Sequence, residues 1–201
     1  MYPMEFTADR KLDLKDGTSV SVRPIEPSDA ERFYWFLGGI TDEDRKYLRV
    51  DVRNRNLVME RVRNPDPERC FRLVAEDERE IVAEAALETY GPGWEEDVGE
   101  MRLLVAPHYR GRGLGRLLAR EIYLQGFRLR LKRLVARAMR PQLGARRILK
   151  RLGFVQEAML PDHVKDTEGH RQDLIIMGLD LENMRAEMRS GSETSDFRRH
   201  R

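Results

Sequence analysis

Glycines alternate with arginines and a leucine in the segment Arg110-Gly111-Arg112-Gly113-Leu114-Gly115, which combines the residue types that hold a phosphate. Glycine lets the backbone approach an anion closely, because it has no side chain and accepts left-handed conformations. The segment lies between an apolar run, residues 101–106, and leucines at helical spacing. The free amides of a first helical turn and the helix dipole both favour an anion. This order of apolar run, glycine-rich turn and helix start predicts a phosphate cradle.

The charge of the chain is segregated around this segment. The chain carries 37 basic and 35 acidic side chains, but residues 110–151 hold 14 lysines and arginines and a single acid, Glu121. Such a block favours a polyanionic partner or a well-solvated face. A ligand with several phosphates would use part of it. The arginines are spread over a helix, a strand and a second helix, and no nucleic-acid motif accompanies them, so we predict no nucleic-acid partner.

Length and composition predict one globular domain, since 201 residues that are 40% hydrophobic and 36% charged can bury a sizeable core. No apolar stretch approaches the roughly 18 residues that span a bilayer, and the first residues do not resemble a signal peptide. Cys70, the only cysteine, lies in an apolar run that favours a buried strand thiol. The four histidines show no metal-ligand spacing. We expect a cytoplasmic protein with no metal and no membrane partner.

Hydrophobic periodicity predicts an α/β domain with a mixed sheet and helices on both faces. Ser28 and Thr41 are the predicted N-caps of the first two helices, and Gly153 is expected to end the last. Residues 1–17 and 182–201 are polar terminal segments that we expect to be loosely held, although the second of these could begin as a helix. The predicted strands span residues 18–22, 70–76, 81–89, 98–105, 133–139, 154–160 and 173–181, and the predicted helices begin near residues 28, 41, 57, 114 and 143.

These motifs, taken in order, resemble the GCN5-related N-acetyltransferase (GNAT) family. The glycine segment is similar to the family's acetyl-CoA pyrophosphate signature, Q/R-x-x-G-x-G/A. Three further motifs resemble the opening strand and helix, the late helix-to-strand turn and the closing strand of the family: Val22-Arg23-Pro24-Ile25 with Asp29-Ala30, Leu152-Gly153-Phe154, and Asp173-Leu174-Ile175-Ile176-Met177. The resemblance implies a GNAT-like domain over residues 18–181, with a mixed, mostly antiparallel central sheet.

The resemblance also implies acetyl-CoA as cosubstrate. Strands 99–105 and 133–139 would splay apart and admit the pantetheine arm, which would bind backbone groups of Leu103 and Val105. Amides of residues 110–115 would hold the pyrophosphate, and nearby arginines would meet its remaining charge. Gln142 stands where family members often have an asparagine that contacts the cofactor. The implied cofactor-binding residues are Leu103, Leu104, Val105, Arg110, Gly111, Arg112, Gly113, Leu114, Gly115, Arg116 and Gln142.

The implied reaction is direct acetyl transfer from the thioester to a primary amine in a ternary complex. An amine with a pKa of ~10.4 attacks well only after losing its proton, so the site needs a proton acceptor. Glu100 matches the acid that serves as base in much of the family, and Glu84 on the neighbouring strand is the reserve. Leu149 stands where many members have a tyrosine that protonates the leaving thiolate. Neither Tyr109 nor Tyr123 matches that position, which leaves the general acid unassigned.

Two segments narrow the resemblance. Thr41-Asp42-Glu43-Asp44-Arg45 and Val98-Gly99-Glu100-Met101 look most like the acetyltransferase module of bacterial protein lysine acetyltransferases. A protein lysine is therefore the predicted acceptor, and the enzyme is expected to be a monomer or a homodimer. Two alternatives stay open. One is an acetyltransferase for a small-molecule amine, and the other is a catalytically silent CoA-sensing domain, which the leucine at position 149 favours.

Overall fold

A computed structural model describes residues 9–49 and 51–186 of the chain. Eight strands form a single sheet in the order β1-β2-β3-β4-β5-β6-β8-β7. Neighbouring strands are antiparallel except β5 and β6, so the sheet is mixed and mostly antiparallel, as the sequence predicted. The strands are β1 (Arg10–Asp13), β2 (Ser19–Pro24), β3 (Cys70–Asp77), β4 (Glu80–Thr89), β5 (Val98–Val105), β6 (Arg133–Met139), β7 (Val155–Lys165) and β8 (Arg171–Asp180).

The helices cover both faces of the sheet. They are α1 (Ala30–Gly38), α2 (Asp42–Arg45), α3 (Arg55–Arg63), α4 (Leu114–Arg128) and α5 (Leu143–Arg151). The two faces have separate cores because successive strand residues point to opposite sides. On β3, for example, Val74 packs with α1 and α3, whereas Leu73 and Ala75 pack in the core that contains α4. No helix in the described ranges has both the length and the apolar character needed to cross a membrane.

The helix caps match the prediction in part. The Thr41 hydroxyl accepts a hydrogen bond from the Asp44 amide at 3.2 Å, and Gly153, with φ +95°, follows the end of α5. The prediction for Ser28 is wrong. A 3-10 turn at Pro27–Asp29 precedes α1, and Glu26 and Asp29 cap this turn reciprocally. Asp29 is better placed than Ser28, because its carboxylate is fully buried and binds arginines as well as the Glu26 amide.

The expectation of a loosely held segment at residues 1–17 is wrong for β1. This strand pairs antiparallel with β2, from Arg10 opposite Val22 to Asp13 opposite Ser19, and Leu12 packs against the core. Its residues alternate between half-buried and exposed. An edge strand of four residues carries little apolar signal of its own, since β2 supplies its hydrogen bonds. At the other end residues 181–186 are helical, and the rest of that predicted segment lies outside the described residues.

The centre of the sheet opens between β5 and β6. These two parallel strands pair only at Val98 with Arg133, Gly99 with Leu134 and Glu100 with Val135. Beyond these three pairs the strands separate, as the resemblance implied. Gly99 allows the close packing at the paired end, where an added Cβ would lie 2.6 Å from Leu87. The opening therefore begins just after Glu100 and continues toward the glycine-rich segment.

Candidate active site

The open side of β5 presents to the gap backbone groups that have no strand partner among the described residues. The Ala106 amide donates to the Val82 carbonyl at 2.8 Å, which identifies this pair as a hydrogen-bonded one in the antiparallel β4–β5 ladder. Because such pairs alternate with pairs whose groups point outward, Leu103 and Val105 direct their amides and carbonyls away from β4. Leu104 directs its own toward β4, so only its side chain is left for a ligand. An extended ligand in the gap would meet Leu103 and Val105.

The glycine-rich segment follows this gap and forms the N-terminus of α4. Gly111 and Gly113 have φ of +78° and +91°, a region that side chains disfavour, and Gly113 is the N-cap of the helix. The Arg116 amide bonds to the Gly113 carbonyl at 3.0 Å, whereas the amides of Leu114 and Gly115 have no acceptor among the described residues. Gly115 lies against Leu103, 3.3 Å from where its Cβ would be. The backbone thus presents two free amides at the helix N-terminus, where the sequence predicts an anion cradle.

Two of the three arginines at this cradle are already paired with acids. The Arg110 guanidinium lies 2.7 Å from Asp44 and also donates to the Val105 carbonyl at 3.0 Å. Arg112 lies 3.0 Å from Asp16. Arg116 is exposed and has no ion pair within the described part of the chain. The side chain that is free to meet phosphate charge without breaking an ion pair is therefore that of Arg116.

Lys15 adds a cation that the sequence analysis missed. The turn between β1 and β2 lies against the cradle, and the Lys15 amide donates to the Arg112 carbonyl at 3.0 Å. The Lys15 side chain runs past Gly113, with its Cγ 3.4 Å from the position of a Cβ there. A lysine 98 positions before the glycine offers no local pattern to detect. Only the pairing of β1 with β2 brings it to the site.

Gln142 caps the turn between β6 and α5, on the far side of the gap. Its side-chain oxygen accepts from the Met139 amide at 2.7 Å, and its side-chain nitrogen has no partner among the described residues. The amide group is therefore held in one orientation with its donor free. This is consistent with the predicted contact to the cofactor.

Glu100 is buried, with only 3% of its side chain exposed, at the point where β5 and β6 separate. Arg49, from the segment after α2, donates to its Oε1. Its Oε2 accepts from the Tyr90 hydroxyl at 3.0 Å and lies 3.5 Å from Arg137 of β6. Both oxygens of the predicted base thus have partners, and the weaker contact is the one to Arg137. The reserve candidate, Glu84, is paired with Arg72 at 3.0 Å.

Tyr90 is the tyrosine that the structure brings to this carboxylate. The residue follows β4 and also lies 3.3 Å from Arg137. The two tyrosines weighed in the sequence analysis, Tyr109 and Tyr123, make hydrogen bonds to groups other than Glu100. Tyr109 donates to Asp77 at 2.6 Å, a bond that raises its pKa to about 12, and the buried Tyr123 donates to the Leu152 carbonyl at 2.8 Å. Leu149 packs in the α4 core, as its side chain suggests.

The hairpin between β7 and β8 closes over the same side of the sheet. The Thr167 amide donates to the Lys46 carbonyl at 3.0 Å, and Lys46 pairs with Glu168 at 3.1 Å. The carboxylates of Asp166 and Glu168 lie close to His170, the kind of set that can hold a metal. The Asp166 oxygens, however, already accept from two loop amides and from Gln172. These hydrogen bonds therefore give the Asp166 carboxylate a structural role, which is to hold the loop between β7 and β8.

Known proteins share both the sequence pattern and the fold. The acetyltransferase (GNAT) family model matches residues 30–154. The GNAT domain of S. lividans PAT superposes with a TM-score of 0.72 at 21% identity, over 88% of this chain and 99% of that one. The E. coli ribosomal-protein-S18-alanine N-acetyltransferase gives 0.62 at 17% identity, over 81% and 94%. Salmonella typhimurium yncA, solved with acetyl-CoA, gives 0.58 at 22% identity, over 81% and 94%. No curated protein sequence matches the chain significantly.

Proposed function

The chain belongs to the GNAT family of acetyltransferases and is an acyl-CoA N-acyltransferase, and from this premise we propose that it acetylates a protein lysine. The observation that supports the donor half is the gap between β5 and β6, which leads from the carboxylate of Glu100 to the anion cradle at Gly113. The support for the acceptor half is the likeness of two segments to protein lysine acetyltransferases, together with the fold shared with PAT.

The residues present fit coenzyme A. The backbone of Leu103 and Val105 would bind the pantetheine amides as an added strand, and the amides of Leu114 and Gly115 would hold the pyrophosphate. Lys15 and Arg116 would meet the remaining phosphate charge, and Gln142 would donate from the opposite strand. The φ of +91° at position 113, which side chains disfavour, explains the glycine there. When bound, acetyl-CoA supplies an activated acyl group on a thioester.

The chain's own chemistry is to take a proton from the acceptor amine. Glu100 is the carboxylate at the start of the gap, and its Oε2 could accept the proton after Arg137, its more distant partner, shifts or through a water molecule. Arg49 and Tyr90 fix the orientation of the carboxylate. Tyr90 is also the closest hydroxyl to Glu100 among the described side chains, which makes it the candidate to return a proton to the thiolate.

Isothermal titration with CoA, followed by an acetyl-transfer assay on lysine peptides, tests this proposal. We expect saturable CoA binding and acetylation of the lysine amine, detected by mass spectrometry. Transfer to small amines but to no peptide would assign the enzyme a small-molecule acceptor instead. Transfer to the N-terminal amine alone would favour the acceptor class named for the E. coli neighbour. Absence of CoA binding would refute the proposal.

A further inference from the structure

The face of the sheet that carries Glu100 also carries an unusual number of arginines. Five of them form what we call the arginine cluster: Arg49, Arg61, Arg72, Arg102 and Arg137. Strand alternation places Arg102 and Glu100 on the same side of β5, which is the side covered by α1 and α3. Arg137 reaches this side from β6, and Arg61 lies on α3, which packs on this side. The cluster therefore lies on the same face of the sheet as the Glu100 carboxylate, away from the α4 face.

The cluster has more positive than negative charge. Arg72 pairs with Glu84, Arg102 pairs with Glu88, and Arg49 and Arg137 share Glu100. Arg61 has no ion pair within the described ranges. Five guanidinium groups thus face three carboxylates. Since the sheet and the early helices exclude part of the water, this surplus is screened less than it would be on an open surface.

Two local features show that the other described groups of the protein do not neutralise the surplus positive charge of the cluster. The Nε of Arg102 is buried and has no hydrogen-bond partner among the described residues. The pKa of Arg49 is lowered by desolvation and then by the nearby charges of Arg102 and Arg137. The pKa of Arg61 is also lowered, by desolvation and then by the charges of Arg102 and Arg72. The nearby carboxylates therefore compensate these guanidinium groups only in part. The side chains of Arg49 and Arg137 are 38% and 36% exposed, so a ligand can reach them.

We propose that the arginine cluster binds a carboxylate carried by the acceptor, so that the enzyme selects amines that have an acidic group nearby. The inference rests on the proposed function, because it assigns the substrate class of the same site. Planar guanidinium groups bind carboxylates through paired hydrogen bonds. The carboxylate could come from an acidic residue next to a lysine in a protein or from an amino acid that is free in solution.

Three peptides that differ only beside one lysine provide the test, with aspartates, glutamines or arginines as flanking residues. We expect kcat/KM at saturating acetyl-CoA to be about tenfold higher for the aspartate peptide than for the glutamine peptide, and lowest for the arginine peptide. In a second, small-molecule arm, kcat/KM for free lysine is compared with that for lysinamide, which lacks the free carboxylate. A preference that appears only in that arm would assign the carboxylate to a free amino acid. Equal kcat/KM values in both arms would overturn the inference while the acetyltransferase activity stands.

Arg61→Gln is the decisive variant, because Arg61 makes no contact with Glu100 or the glycine segment. It should lower kcat/KM for the aspartate peptide and leave the value for the glutamine peptide and the affinity for CoA unchanged. Arg53→Gln is the matched control, since Arg53 is exposed and already paired with Asp51 at 2.9 Å. An equal loss in both variants would contradict the inference. If no peptide is acetylated, calorimetry of the peptides on CoA-saturated protein still decides it, because the aspartate peptide should bind about tenfold more tightly than the glutamine peptide and Arg61→Gln should weaken that binding.

Discussion

The guanidinium of Arg49 donates a hydrogen bond to Oε1 of Glu100 and so joins the segment after α2 to the centre of the sheet. The contact therefore couples an early segment of the chain to the predicted base. The same contact leaves two alternative roles for Glu100, which experiments can distinguish. The carboxylate could accept a proton, or it could only hold arginines in place.

Glu100→Gln should separate these roles. We expect kcat to fall by about 10² to 10⁴, the usual contribution of a general base, while the affinity for CoA stays nearly unchanged. Glutamine has the same shape but cannot accept the amine proton. Glu88→Gln is the control, because Glu88 lies opposite Glu100 on β4 and carries the same charge. A parallel loss of turnover and CoA affinity would instead indicate a structural role for Glu100.

Gly113→Ala should weaken CoA binding at least tenfold. The residue has a φ of +91°, and forcing a side chain into this region costs roughly 1 to 2 kcal/mol, so the turn that presents the free amides of Leu114 and Gly115 should shift. Gly113→Asp should abolish binding, since it adds negative charge against phosphate. Gly38→Ala in α1 is the control, because a Cβ there meets nothing within 4 Å. Titration calorimetry with CoA measures both, and an unchanged affinity in Gly113→Ala would exclude the cradle.

Lys15→Gln should lower CoA affinity by a few-fold and make it less sensitive to salt. An exposed cation that meets phosphate contributes about 0.2 to 1 kcal/mol, and salt screens this contribution. Lys11→Gln removes the same charge from an exposed position on β1 and should have no effect. Calorimetry at two salt concentrations distinguishes them. If both variants bind CoA as the wild type does, Lys15 is only a packing residue of the turn.

Tyr90→Phe should lower kcat with little change in folding stability, because it removes the hydroxyl that donates to Glu100 from a partly exposed ring. Tyr123→Phe should show the opposite pattern. Its hydroxyl donates to the Leu152 carbonyl in a buried site, so its loss should cost about 1 kcal/mol of unfolding free energy and leave turnover intact. Denaturant titration and steady-state kinetics on both variants check this, and a stability loss confined to Tyr90→Phe would contradict the assignment.

Asp29→Asn should destabilise the fold in a pH-dependent way. Burial alone would raise the pKa of Asp29, but Arg23, the Glu26 amide and Arg32 outweigh it, so the pKa lies below the ordinary value of 3.8. A lowered pKa stabilises the folded state above that ordinary value, and the contribution is lost as pH falls through the folded pKa. We expect a loss of about 3 kcal/mol at pH 7 that shrinks below pH 3.8.

The matched control for Asp29→Asn is Asp51→Asn, because Asp51 pairs with Arg53 on the surface. Exposed pairs of this kind contribute little, so the unfolding free energy should stay within about 1 kcal/mol of the wild type at every pH. Urea titrations between pH 3 and pH 7 compare the two variants. A destabilisation by Asp29→Asn that did not vary with pH would show that the ionised carboxylate is not its cause.

The sequence predicted the elements whose signal is local. Alternation of apolar residues placed β5 and β6 at the bounds that the structure shows, and the glycines at 111 and 113 marked a turn that requires positive φ. The partners of Glu100 were not predictable in this way. Arg49 and Tyr90 come from different segments, and only the packing of those segments on the sheet brings them together.

Local sequence patterns also predicted the edge strands of the sheet incompletely. β1 was missed because two of its four residues are exposed and its stability depends on β2. The prediction for β7 ended at residue 160, whereas the strand continues to Lys165 by pairing with β8 despite irregular register. Lys15 lies at the glycine-rich segment only because β1 pairs with β2. The local pattern thus predicted the glycine-rich turn and the strands beside it, whereas tertiary contacts determined the surroundings of the carboxylate.

The opening between β5 and β6 makes the stability of this protein depend on its substrate. On its open side β5 offers no strand partner to Leu103 or to the Val105 amide among the described residues, so a ligand that pairs with them adds to the free energy of unfolding. Thermodynamic linkage sets the size of this effect at about 2.7 kcal/mol when the ligand is present at a hundredfold its Kd. The melting temperature of the protein should therefore follow the concentration of acyl-CoA around it, which makes the enzyme harder to unfold when its donor is abundant.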